Sequence, residues 1–314
     1  MSVTDIEILQ KGLLWAQEGH QVVLATVVQT WGSAPRKAGA HMVIREDGLF
    51  EGSVSGGCVE GAVLQEGLDI AKGARLLKFG VSTEQAWAVG LSCGGEIAIW
   101  IELLDETVIQ RLVEGVNARQ TVGLCLSLQS IDTMTITADW QVVPTSKTLL
   151  QEDGRAIRVY TPTRRLFVIG AVHIAQALVP MAEQIGYSVI VIDPREIFLE
   201  EKRWGNIQRF SDFPEEILPK QNLDRHDAVV ALSHNPLFDD EALWAALQAE
   251  VFYVGALGSR RNHEKRCLRL QERGCTVEQT HRISGPIGLD IGAQTPSEIA
   301  VSIIAELIQY QYAQ

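Results

Sequence analysis

RLFVIGAVHIAQALVPMAEQIGYSVIVID, residues 165–193, is the stretch on which the fold turns. It opens on LFVI, a short unbroken apolar run closed by glycine, the pattern of a strand covered on both faces. Gly170 ends that run, and AVHIAQALVPMAEQ then brings apolar residues back at helical spacing. Pro180 is expected to kink this helix or to sit near its end. YSVIVID supplies a second buried strand. Strand, helix and strand in one short stretch make a βαβ unit, whose right-handed crossover leaves the two strands parallel.

Working outward, the alternation continues towards the C-terminus. DAVVALS (227–233) and VFYVGALG (251–258) read as strands. FDDEALWAALQAE (238–250) and SRRNHEKRCLRLQERG (259–274) read as helices. The last helix opens T-P-S-E at 295–298, with Thr295 as cap, Pro296 at the first helical position and Glu298 closing a capping box. Residues 163–314 are therefore expected to form a Rossmann-like parallel-sheet domain. Towards the N-terminus the pattern is mixed. TDIEILQKGLLWAQE (4–18) is helical, and QVVLATVVQT (21–30) is a strand. AHMVIRE and GLFEGSVS flank Asp47-Gly48, a strong hairpin signal. Residues 58–72 look helical, and further strands and a helix follow. Residues 1–150 are expected to be an α+β domain. The polar stretch over 145–163, weak in pattern, marks the boundary, and the fold class is α/β.

Of the 314 residues, 46% are hydrophobic and 21% charged, which supplies ample core material; the formal net charge is −12. A basic face that displaces counterions is missing, so nucleic acid is not the expected partner. No apolar run is long enough to span a bilayer, and the N-terminus lacks a signal-peptide pattern, so a cytoplasmic protein is expected. Five cysteines without a C-x-x-C spacing fit reduced thiols.

Several places carry candidate chemistry. At the first strand end, Gly170 begins a partial dinucleotide fingerprint, and Asp193 lies 23 residues on, where a ribose contact would stand. Val172 occupies the place of the second glycine and leaves tight NAD(P) binding doubtful. In YVGALGSRR, Gly258, Ser259, Arg260 and Arg261 place a glycine turn, a helix start and two guanidinium groups together, an anion site. The loop RISGPIGLDIGAQTPSE (282–298) holds one acid before its helix, Asp290, which could hold a ligand or close a turn. In GSVSGGCVEG, Cys58 follows Gly56 and Gly57 where a helix begins, a setting that lowers a thiol pKa. Cys93, in SCGG, repeats that setting. Arg36 sits in the basic turn PRK, close in sequence to the Cys58 hairpin. Asp193 reads equally as a turn residue, and each cysteine as inert core. His41 with Cys58 could suggest a cysteine-nucleophile hydrolase, though spacing alone cannot establish one.

The ordered set GSAPRKAGAHMVI (32–44), GSVSGGCVE (52–60), SCGG (92–95), GAVHIA (170–175), VIDPR (191–195), YVGALGSRR (253–261) and GPIGLDIGAQTPSEIAVSIIAE (285–306) resembles the xanthine dehydrogenase accessory protein family, XdhC/CoxI. The resemblance spans nearly the whole chain. It implies a two-domain cytosolic protein, commonly dimeric, that binds molybdenum cofactor (molybdopterin). Such a protein helps sulfurate that cofactor, protects it and inserts it into molybdenum hydroxylases such as xanthine dehydrogenase. On this reading Cys58 would contact molybdenum, the glycine turn with Arg260 and Arg261 would suit the phosphate, and a cysteine desulfurase is a candidate partner. The competing reading is an NAD(P)-dependent oxidoreductase built on the Rossmann-like half.

Overall fold

A computed structural model of the chain describes residues 5–31, 36, 38–57, 59–70, 74–80, 96–128, 138–143, 149–150 and 155–312. The chain divides into two compact units, residues 1–162 and 163–314.

In the first unit, α1 (Asp5–Gln17) leads into β1 (Val22–Trp31). β1 is the middle strand of a five-stranded antiparallel sheet of order β3-β2-β1-β5-β4. Its partners are β2 (His41–Arg45), β3 (Phe50–Gly52), β4 (Ala74–Phe79) and β5 (Glu96–Leu103). The β2–β3 hairpin turns at Asp47-Gly48, where Gly48 takes φ +88° and the Arg45 amide donates to the Leu49 carbonyl at 2.8 Å. α2 (Glu60–Leu68) follows and is shorter at both ends than the expected 58–72. α3 (Glu106–Asn117) starts at an Asp105 cap whose carboxylate accepts from the Val108 amide at 3.1 Å.

Four further strands, β6 (Val122–Leu128), β7 (Ala138–Val143), β8 (Leu149–Leu150) and β9 (Arg155–Tyr160), form a second antiparallel sheet of order β7-β6-β9-β8. β8 and β9 occupy the stretch whose weak pattern suggested a linker. β9 pairs with β6 from Val122↔Tyr160 to Ser127↔Arg155. Backbone pairing supplies the order that side-chain alternation does not announce. Both faces of the five-stranded sheet are covered. Ile8, Leu9, Leu13, Leu24, Val43, Ile109, Leu112 and Leu124 form one core, and Val23, Ala25, Met42, Ile44, Val63, Ile99 and Ile101 the other.

The second unit runs β10 (Arg165–Ile169), α4 (His173–Gln184), β11 (Ser188–Ile192), α5 (Glu201–Trp204), β12 (Gln208–Phe210), α6 (Pro214–Ile217) and β13 (Asp227–Ala231). It continues with α7 (Pro236–Gln248), β14 (Tyr253–Ala256), α8 (Arg260–Glu272), α9 (Val277–His281), β15 (Ile283–Ser284) and α10 (Pro296–Tyr312). All six strands are parallel, in the order β12-β11-β10-β13-β14-β15. Counted from β10 this is the doubly wound order, with its switch point between β10 and β13. Leu166, Phe167, Val168 and Ile169 are all fully buried. At roughly 2 kcal/mol per side chain this burial is the main reason the run forms a central strand. α4 runs on through Pro180 to Gln184. Thr295 and Glu298 close the expected capping box of α10: the Glu298 carboxylate accepts from the Thr295 amide at 2.8 Å, and the Thr295 hydroxyl accepts from the Glu298 amide at 3.3 Å.

Candidate functional site

Between β3 and α2 the chain folds into a small cradle. Gly56 and Gly57 take φ +81° and +115°, a conformation open to glycine, and this turns successive amides inward. The centre is filled from within. Glu60, in the first turn of α2, accepts from the amides of Val54 (3.2 Å), Ser55 (2.8 Å), Gly56 (3.0 Å) and Gly57 (2.9 Å). It also accepts from the hydroxyls of Ser53 (2.7 Å) and Ser55. Partial burial pushes its pKa up, but the hydroxyl and amide hydrogen bonds prevail and bring it down to about 2. Gly56 and Gly57 thus shape the loop, while their amides are held by Glu60. Sequence reasoning missed Glu60, because an acid in a first helical turn reads as an ordinary partner of the helix dipole. Cys58 and Cys93 lie outside the described residues.

Arg36 reaches the same loop. Its Nε donates to the Ser53 carbonyl at 3.2 Å, and one terminal nitrogen donates to Asp5 at 3.0 Å. Arg158, on β9, donates to the other Asp5 oxygen at 3.0 Å. Gly39 is glycine for this reason: at φ +89° a Cβ would stand 2.4 Å from the Arg158 side chain. Beneath them His41 is fully buried, with Nδ1 2.9 Å from the Thr26 hydroxyl and Nε2 bonded to the Tyr160 hydroxyl. Burial, then the charges of Arg158 and Arg36, lower its pKa to about 3. His41 is therefore a neutral structural bridge between β2 and β9. With both ring nitrogens engaged it has no free lone pair for a general base.

In the second unit, Gly170 takes φ +102°, and a Cβ there would meet the Ser233 backbone at 2.7 Å. The glycine is needed for the approach of two chain segments at the switch point. Asp193 is fully buried, with both oxygens committed. One accepts from the Ala171 amide at 2.7 Å and from an Arg195 terminal nitrogen at 2.7 Å. The other accepts from the Arg195 amide at 3.0 Å and Nε at 2.8 Å. Burial raises its pKa, but these partners, Arg195 first, hold it below the usual carboxylate value. Asp193 fastens the first strand turn to the second. Val172, the cap residue of α4, packs against the core.

The end of β13 carries a network. Ser233 donates to Asp239 from its hydroxyl (2.7 Å) and its amide (3.2 Å). Asp239 is buried, which raises its pKa. His234, next to it, is exposed at φ +60°. At the end of β14 Gly258 takes φ +143°, and Ser259 caps α8 by accepting from the Asn262 amide at 3.3 Å. Arg260 and Arg261 are exposed. Asp290 is exposed in a loop tied to α10 by the Gly288 amide, which donates to Glu306 at 2.8 Å. Among the described residues no group of three His, Cys, Asp or Glu side chains is placed to hold a metal ion, and no helix is long and apolar enough to cross a membrane.

Similarity to known proteins runs through both units. Residues 15–80 match the XdhC and CoxI family, and residues 166–307 match the XdhC Rossmann domain. A Bacillus subtilis (strain 168) protein named as a probable xanthine dehydrogenase subunit is 30% identical over 93% of this chain and 94% of its own length. The molybdenum cofactor insertion chaperone PaoD of Escherichia coli (strain K12) is 31% identical over 92% of this chain and 83% of its own. A crystal structure of a xanthine dehydrogenase from Bacillus halodurans matches with a TM-score of 0.77 and 27% identity, covering 99% of this chain and 96% of that one. Identity held across both units, together with the doubly wound sheet, gives one conclusion: the chain belongs to the XdhC and CoxI family.

Proposed function

We propose that this chain binds molybdenum cofactor and hands it to a xanthine dehydrogenase-type molybdenum hydroxylase, assisting its sulfuration and insertion. The observation that carries the reading is the 31% identity, over 92% of the chain, to a molybdenum cofactor insertion chaperone. The cargo is an anionic pterin with a phosphate tail, a dithiolene and a soft metal centre. Thiolates suit such a metal, so Cys58 is assigned to molybdenum and Cys93 to the same chemistry. Arg36 braces the loop that leads to Cys58 through the Ser53 carbonyl. Gly258, Ser259, Arg260 and Arg261 offer a seat for a phosphate. The protein acts as a carrier, in the cytoplasm and as a homodimer, with a cysteine desulfurase as the sulfur source. The nicotinamide alternative loses support at Asp193, where a ribose would have to displace Arg195 and the Ala171 amide.

The test is metal and pterin analysis of protein made in a cofactor-producing host. Wild type is expected to carry molybdenum and pterin, and Cys58→Ser and Cys93→Ser to lose them. Both variants loaded as wild type would remove the thiol site, and an empty wild type would remove the function.

A further inference from the structure

In the first unit two arginines share one acid. Asp5 opens α1, Arg36 lies between β1 and β2, and Arg158 is on β9. Each guanidinium gives Asp5 a single nitrogen, Nη2, at 3.0 Å, and each takes a different carboxylate oxygen. Arginines that fasten the fold elsewhere in this chain behave otherwise. Arg165 gives two nitrogens to Asp227, as do Arg195 to Asp193, Arg269 to Asp240 and Arg273 to Glu241. Arg75 gives Glu66 a single nitrogen, but that is a surface pair with both side chains nearly half exposed.

Both Asp5 oxygens are spent, so two guanidinium charges face one carboxylate and one positive charge is left over, in a chain of formal net charge −12. Beneath the pair, His41 is held neutral by burial and by both guanidiniums, and it supplies no counter-charge. The spare donors are open to solvent. Arg158 Nε is sealed under the Gly39 turn and takes no part. The Nη1 groups of Arg36 and Arg158 have no partner among the described residues either, but they are not sealed, and the two side chains are 35% and 34% exposed. The pair is also fixed in place. The Ser53 carbonyl and Asp5 hold Arg36, while Asp5 and the close approach of Gly39 hold Arg158. A ligand therefore meets two donors whose ordering cost is already met.

We infer that Arg36 and Arg158, spread on Asp5, form a seat for a phosphate monoester. Asp5 already displays what a carboxylate does here: its two oxygens take one nitrogen from each arginine and leave the outer nitrogens unused. A phosphate monoester has three free oxygens and up to two charges, enough to accept from both outer Nη1 groups at once. The seat lies wholly within the first unit. It deepens the proposed function and rests on that reading only for the molecule that carries the phosphate.

The test is phenylglyoxal labelling of the full wild-type chain, mapped to each arginine by peptide mass spectrometry. It is run with inorganic phosphate, with acetate at equal ionic strength, and with neither. Arg36 and Arg158 are expected to label, and saturating phosphate to slow both roughly fivefold or more, while acetate leaves them nearly unchanged. Arg75 is expected to label alike in all three, and Arg260 and Arg261, mapped in the same digest, report separately on the α8 turn. Titration calorimetry with inorganic phosphate gives the affinity. Arg36→Gln and Arg158→Gln each remove a charge-assisted donor and are expected to weaken binding about tenfold or more, and Arg75→Gln to leave it unchanged. Thermal unfolding shows whether each variant is folded; the labelling needs wild type alone and decides the matter where a variant is not. No labelling of Arg36 and Arg158, rates that phosphate does not change, or protection by acetate equal to that by phosphate overturns the seat. Equal affinity in wild type and both folded Gln variants overturns it as well. Molybdenum content is read separately. Arginines protected by phosphate in protein that carries no molybdenum keep the seat and sink the cargo assignment; molybdenum-loaded protein in which both arginines label freely and phosphate does not slow them does the reverse.

Discussion

Replacing Glu60 with glutamine tests whether an internal carboxylate holds the Cys58 loop in shape. The side chain keeps its size but loses its charge and presents an NH2 group to a cradle made of donors. The gap between the ordinary glutamate value of 4.5 and about 2 corresponds to roughly 3 kcal/mol of preference for the ionised form. Glu60 is partly exposed, so solvent screening reduces that to about 2 kcal/mol. The sign follows from linkage. The folded pKa is depressed, so this stability is fully present above pH 4.5 and is lost as pH falls towards 2. Urea unfolding of wild type and Glu60→Gln is therefore expected to show a gap of at least about 2 kcal/mol at pH 7, shrinking to about half near pH 3. Part of what remains at pH 3 is still the carboxylate, whose folded value lies lower, and the mismatched NH2 group adds a part that does not vary with pH. A second readout bears on function. Cys58 is two residues from Glu60, which keeps their Cα atoms within about 7.6 Å. Removing a negative charge at that range is worth on the order of 1 kcal/mol to a thiolate. The rate of Cys58 alkylation against pH should accordingly shift to a lower apparent pKa, by just under one unit. A stability gap unchanged between pH 7 and pH 3, or a thiol pKa that rises, would refute the reasoning.

Two other substitutions probe the scaffold. Glu102, on β5, is 9% exposed, and burial, with a smaller contribution from Asp105, raises its pKa to about 7. A raised acid contributes stability below its unfolded value that is lost as pH climbs from about 4.5 to 7. Glu102→Gln should thus exceed wild type by about 3 kcal/mol at pH 8.5 and match it near pH 4, as read by denaturant midpoints; a deficit at pH 8.5 would contradict this. Gly170→Ala places a Cβ 2.7 Å from the Ser233 backbone at φ +102°, so about 3 kcal/mol should be lost. Thermal unfolding checks it, and a neutral result would show that the switch-point packing is looser than these distances require.

The second unit was the more legible, because its signals are local. LFVI, the Gly170 turn and the T-P-S-E cap each declare themselves within a few residues, and the structure uses each where it was expected. β12 and β15 were not visible: three and two residues carry no period, and they are strands only because β11 and β14 offer edges to pair with. β8, two residues long, escaped for the same reason, whereas in the six residues of β9 Arg155 and Arg158 break the apolar pattern.

The candidate sites failed to declare themselves in a more instructive way. Sequence places a charged or flexible residue near a turn but not the partner that has already claimed it. Asp193 stands at the spacing of a ribose contact, and Arg195, two residues on, occupies it. Gly56 and Gly57 make an anion cradle, and Glu60 folds back to fill it. Arg266 is the reverse case. On a helix whose side chains are mostly charged it reads as one more solvated arginine, and only folding shows that α7 and the Gly258 turn enclose it without supplying enough acceptors. What distinguishes a binding site from a structural turn in this protein is thus the balance of donors and acceptors after folding. The Glu60 cradle is in balance without a ligand. Arg266 is not: two of its buried nitrogens are left without an acceptor.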